Sequence, residues 1–310
     1  MIRAAALSCF VLAVSALSAS AASLTLGTAT PGGSFPAFGE ALVEAFRESD
    51  PGLTVELRNT KGSAENLTLL KEGQLDLALV QGEYAYDALG AQDGSRPGLA
   101  VVAPVDTSPG VFVVTAASPI RSVEDLRGKT VALGTRASGL TVIGRTVLKG
   151  SGIDPDRDIT PVLLDHAGAG AGLVRDGSVA ALWGAGFDWP SFKVLAGAPG
   201  GARFFGPDPG KIAAILALRA SLRRLTIPAR SFEGQEEAIE TVGSWSFVIA
   251  RPGLPDEAVA RFVQALDRGR EALARRYRQG RESDPRNLVS AVPLAWLHPA
   301  TAAYLNGLEP

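Results

Sequence analysis

The chain has 310 residues, 46% of them hydrophobic and 20% charged, with a formal net charge of −2. This is ordinary globular composition, with length for one large domain or two of usual size and a core that needs no staples. It lacks the basic footprint that nucleic-acid binding leaves.

Residues 1–22 have the pattern of a secretory signal peptide. Arg3 supplies a positive start, Ala4 to Leu17 an apolar stretch, and Ala19, Ser20, Ala21 and Ala22 the small residues of a cleavage site near Ala21/Ala22. An uncleaved anchor is the alternative, but the apolar run is short for one. The only cysteine, Cys9, lies inside this segment. A lipid-acceptor role for it is disfavoured because it splits the apolar stretch. The mature chain is therefore expected outside the cytoplasm, without thiol or disulfide chemistry.

From Leu24 the pattern alternates. Leu24 to Thr28 predicts a strand, Phe35 to Glu48 an amphipathic helix, Leu53 to Arg58 a strand, and Ser63 to Lys71 a helix closed by Gly73. Leu75 to Val80 and Ala100 to Pro104 predict further strands. A second run follows: a strand at Val111 to Thr115, a short helix after Ser122, a strand at Thr130 to Leu133, and a helix at about 139–149. It continues with a strand at Ile159 to Leu164, a small-residue helix at Ala167 to Arg175 and a strand at Val179 to Trp183. A late strand at Ser246 to Ala250 precedes a long charged helix at Pro255 to Tyr277. Strands separated by helices predict an α/β protein with largely parallel sheets. Two such runs predict two lobes with a cleft, and ligands in open α/β sheets sit beyond the carboxyl ends of strands.

Three turns at those strand ends share a design: Pro31 to Ser34, Thr60 to Ser63, and Gly134 to Gly139. Each joins a strand to a helix start and puts a serine at or near the N-cap. The second and third add Lys61 and Arg136. Free N–H groups, hydroxyls and a cation at a helix start suit a carboxylate. A single turn of this kind needs no ligand to explain it, since serine is a common cap. Gln81 ends an apolar strand where its amide can bond a polar ligand. Phe35 follows the first turn, and Trp189 offers a second ring to pack on a ligand's stem.

The stretches "GTATPGGSFPAFGEAL", "NTKGSAENLTLLKEGQLDLALVQGEYAYDA" and "SVEDLRGKTVALGTRASGLTV" resemble the TAXI family, the solute-binding subunits of TRAP (tripartite ATP-independent periplasmic) transporters. The similarity runs from about Leu24 to the end, with "FEGQEEAIETVG", "FVIARPGLPDEAV" and "PLAWLHPATAAYL" in matching order. The resemblance implies a type II periplasmic-binding-protein fold of two lobes joined by crossing strands, with mixed sheets: 23–110 plus 247–310, and 111–246. It implies ligand contacts near Gly33, Ser34 and Phe35, near Ser63 and Asn66, at Gln81, and from Ser138 and Gly139 to Thr141. It also implies a small organic anion as ligand, glutamate-like amino acids and carboxylates among them. The sequence departs from the family pattern at Val80 to Glu83, at Gly139 to Thr141, at Arg136 and at Trp183 to Pro190; these departures bear on ligand identity.

Enzymatic chemistry is not expected, and neither is a metal or cofactor. The only histidines are His166 and His298, and there is no HExxH, cysteine cluster, GxSxG or phosphate-binding GxxxxGK[ST]. The function expected is that of a periplasmic solute-binding protein, monomeric, whose partners are a small organic anion and a TRAP membrane permease. Arg136 supplies charge in that reading, and Gly33, Ser34, Ser63 and Ser138 hold the carboxylate. The alternatives are a binding module for a sensor or an ABC permease and, in a different class, an exported hydrolase using Ser138 and His166.

Overall fold

The computed structural model describes residues 23–92 and 98–308. The expected signal segment, Cys9 included, lies outside the described residues.

The N-terminal run forms as its apolar spacing dictates. β1 (Ser23–Gly27) leads to α1 (Ser34–Ser49), β2 (Thr54–Arg58), α2 (Ser63–Lys71) and β3 (Leu77–Gln81). α3 (Gly82–Gly90) then starts on the residue after β3. Phe38, Leu42, Ala45 and Phe46 give α1 one apolar face. That face packs on α8 (Asp256–Arg276), where Phe46 and Phe262 meet edge to face with ring centroids 5.1 Å apart.

β4 (Ala100–Thr115) is one 16-residue strand, where the sequence predicted two separate strands. Beyond it come β5 (Thr130–Thr135), α4 (Gly139–Gly150), β6 (Thr160–Leu164), α5 (Gly170–Arg175) and β7 (Ala181–Ala185). They continue with α6 (Pro190–Ala196), β8 (Ala202–Phe205), α7 (Ile212–Ala217), β9 (Leu222–Ile227) and β10 (Ile239–Ala250). After α8, α9 (Leu288–Ala291) and α10 (Pro299–Asn306) end the described chain. The capping-box pattern after Ser122 gives only a single 3₁₀ turn at Glu124–Leu126. Its reciprocal half is nevertheless made, with Asp125 accepting from the backbone N–H groups of Arg121 and Ser122.

The strands run in the order β2-β1-β3-β10-β4-β7-β5-β6, with β8 on β4 and β9 on β10. β1 pairs in parallel with β2 and β3, and β5 with β6 and β7. β4 and β10 tie these two parallel sets together. The first part of β4 pairs antiparallel with β10, and from Gly110 onward it pairs with β7 and β8. β10 does the converse, pairing first with β9 and from Ser246 with β3. The two strands press together where they change partners: a Cβ added at Gly243 would lie 2.1 Å from the Ser108 carbonyl oxygen. Apolar cores flank each set, one around Leu26, Phe46 and Phe262 and another around Phe112, Ile143 and Trp183. The mixed sheet with two crossing strands is the architecture expected. None of the described helices is long and apolar enough to cross a membrane.

Candidate functional site

The strand-to-helix turns converge. Gly33, Gly62, Gln81 and Ser138 are the N-cap residues of α1, α2, α3 and α4, and all of them line one cavity of about 70 Å³. Each helix start carries unpaired N–H groups and roughly half a positive charge. The turns can meet because their backbones are bare where they touch. Gly62 has φ +119°, and a Cβ there would lie 3.1 Å from the Ala137 carbonyl oxygen. A left-handed, crowded position of this kind accepts only glycine at low cost.

Hydrogen bonds close the cleft across the two strand sets. Trp189 Nε1 donates to the Gly32 carbonyl at 3.0 Å. Ala167 N donates to Thr30 Oγ1 at 3.1 Å, and Ala64 N to the Ala137 carbonyl at 3.2 Å. Trp189 thus forms a wall of the cavity and is itself buried.

The residues singled out from sequence fall into three groups. Gly33, Ser34, Phe35, Gln81, Ser138 and Trp189 line the cavity. Ser63, Asn66, Gly139 and Thr141 are buried but outside the lining. Ser63 Oγ accepts from Gln81 N at 3.0 Å, holding the end of β3. Asn66 Nδ2 donates to the carbonyls of Thr28 and Leu79, both at 2.8 Å, tying β1 to β3. Thr141 Oγ1 bonds the carbonyls of Leu133 and Thr135. Gly139 lets the Gln81 side chain approach, since an added Cβ would meet Gln81 Cβ at 2.7 Å. Arg136 alone makes the third group: it is exposed and outside the lining.

Residues beyond the expected ligand contacts complete the lining. Lys61 is its one cationic side chain, and Thr30, Ser108 and Thr135 add hydroxyls. The signal for Lys61 was its place in the second turn; Ser108 gave none, because it arrives through the crossing of β4 and β10. Ser108 Oγ donates to Asp106 Oδ1 at 3.2 Å, and Tyr277 donates to Asp106 Oδ2 at 2.8 Å. Burial, with the nearby Glu282 carboxylate, pushes the Asp106 carboxyl up to about 7. Glu83 stands in the first turn of α3, where Ser221 and Ser244 both donate to it at 3.0 Å. Burial pushes its carboxyl to about 7 as well, against the pull of the two serines and of Arg219.

Ser138 Oγ accepts from Leu140 N as an N-cap, and among the described residues no hydrogen bond joins it to His166. The hydrolase alternative therefore lacks its nucleophile–base contact. No group of three or more His, Cys, Asp or Glu among the described residues is placed to hold a metal ion.

This arrangement, two strand sets joined by crossing strands with a cavity at the helix starts between them, defines the type II periplasmic-binding-protein fold. Solved structures share it. The periplasmic aliphatic sulphonate binding protein SsuA from Escherichia coli matches over 93% of this chain and 84% of its own, with 22% identity and a TM-score of 0.50. The alkanesulfonate-binding protein SsuA from Xanthomonas axonopodis pv. citri, bound to MOPS, matches over 93% and 84% with 20% identity and a TM-score of 0.51. The GluR0 ligand-binding core, in complex with L-glutamate, matches over 83% and 98% with 16% identity and a TM-score of 0.50. All three are named for binding a ligand, not for catalysis. The model of the NMT1-like family matches residues 26–306, and the chain belongs to that family.

Proposed function

We propose that this chain is a periplasmic solute-binding protein that captures a small organic anion between two lobes, 23–110 plus 247–310 and 111–246. It would deliver the anion to a TRAP membrane permease, as the resemblance of its turns to the TAXI subunits suggests. The observation that carries the binding role is the convergence of four helix starts and Lys61 on one cavity with no acidic side chain in its lining. Helix starts pointed at one place form a preorganised anion site, and they need no rearrangement to accept the charge.

Lobe closure supplies the mechanism. α1 and α2 follow strands of one set, and α4 and α6 follow strands of the other. An anion touching both sets favours the closed state by the difference in contacts it makes there, and a permease can recognise that state. The bonds from Trp189 to Gly32 and from Ala167 to Thr30 are the contacts closure completes.

A thermal-shift screen tests this reading. The purified protein is unfolded and refolded to strip any carried ligand, then mixed with small organic acids and with neutral sugars and alcohols. An acid at 100 times its Kd should add about 2.7 kcal/mol of stability. Stabilisation by acids alone is the expected result. Stabilisation by neutral solutes and by no acid would remove the anion from the account.

A further inference from the structure

The same lining discriminates among anions, an inference that rests on the anion-binding reading above. No lining residue is acidic, and the carboxyl groups close behind the wall are already engaged. Glu83 is bonded to Ser221 and Ser244, and Asp106 to Tyr277 and Ser108. Glu65 accepts from the backbone N–H of Lys61. An ammonium group entering the cavity would shed its water and find no carboxylate, in a space where helix starts already favour negative charge.

A carboxylate meets the opposite environment. Gln81 is 6% exposed, lines the cavity, and its amide makes no hydrogen bond to another described residue. An amide that faces a cavity without a protein partner is free to bond a ligand or water there. Its Nε2 can donate to a carboxylate beside the starts of α3 and α4, against which Gly139 lets it lie.

The rest of the wall sets Phe35, Leu140 and Trp189 beside Lys61 and the hydroxyls of Thr30, Ser108 and Thr135.

We propose that the cavity takes a carboxylate lacking an ammonium group, with the Gln81 amide holding that carboxylate. Amino acids are the class it turns away.

Calorimetric titration of the refolded protein with propionate, lactate, L-alanine, glutarate and L-glutamate tests this. Propionate, lactate or glutarate should bind, with L-alanine weaker than propionate, and L-glutamate weaker than glutarate, by about a hundredfold. Gln81→Leu should weaken the best binder about tenfold, and Gln81→Glu, which keeps the shape and adds a like charge, should abolish its binding at pH 8. Equal binding of L-alanine or L-glutamate, or unchanged affinity in both Gln81 variants, would overturn the proposal while leaving the anion reading intact. Binding of neutral solutes with none of these acids would overturn both.

Discussion

Lys61 and Arg136 show what a turn motif reveals about single residues and what it hides. Both follow strand ends and both stand two residues before a serine at a helix start, yet Lys61 lines the cavity and Arg136 points to solvent. Lys61→Ala should weaken anion binding severalfold and reduce its salt dependence, because an exposed charge acts through a screened field. Arg136→Ala should leave titrated affinity within about twofold, since surface charges outside a site contribute little. Asn66 serves β1 and β3 with its amide N–H groups, and its removal leaves two buried carbonyls short of a donor. Asn66→Ala should cost roughly 1–3 kcal/mol in urea unfolding, with ligand affinity lost only as the fold loosens. The spacing of Gly33, Ser34, Phe35, Gln81 and Ser138 was enough to find the cavity. It could not separate them from Ser63, Gly139 and Thr141, because a cap position does not say whether its side chain points forward into the cleft or back onto its own turn.

The helical and strand periodicities of the N-terminal run were legible almost to the residue, and α2 was placed at Ser63–Lys71 from its serine and closing glycine. α3 was not, because it starts directly after β3 with no loop and no serine, threonine or aspartate at its cap. β4 looked like two strands because Pro104 and Pro109 interrupt the run. Both prolines lie where β4 pairs with β10 alone, so the missing N–H groups leave one side of the strand unaffected. The late elements α6, β8, β9, α9 and α10 are short and carry weak periodicity, which is why they were not anticipated. At the crossing, Gly243→Ala should destabilise the chain by about 1–3 kcal/mol through overpacking on Ser108. Because Ser108 also lines the cavity, the same variant should lower ligand affinity in titrations done well below its melting temperature.

For the whole molecule, Glu83 and Asp106 make stability depend on pH near neutrality. Each carboxyl holds its proton up to about 7 in the fold, against ordinary values of 4.5 and 3.8. Between those values the folded state binds more protons than the unfolded one. Their stabilising contribution is therefore complete below about pH 4 and is lost as pH rises through about 7. Melting temperature should fall between pH 5.5 and 8.5. Glu83→Gln and Asp106→Asn should each flatten that fall, and an unaltered slope in both would show that neither group is responsible. Glu83 also ties α3 to β10 and to Ser221 at the start of β9, so its proton sits where the two strand sets are joined.

The central claim is that an organic anion sits among the starts of α1, α2, α3 and α4 and holds the strand sets together. The most direct measurement is a crystal structure of the stripped and refolded protein grown with the best-binding carboxylate. The account predicts the carboxylate within hydrogen-bond distance of the Gln81 amide and of N–H groups at the helix starts, with its alkyl end against Phe35 and Trp189. An anion bound elsewhere, as in the groove edged by Val289 and Leu294, or an empty cavity at saturating ligand, would contradict it.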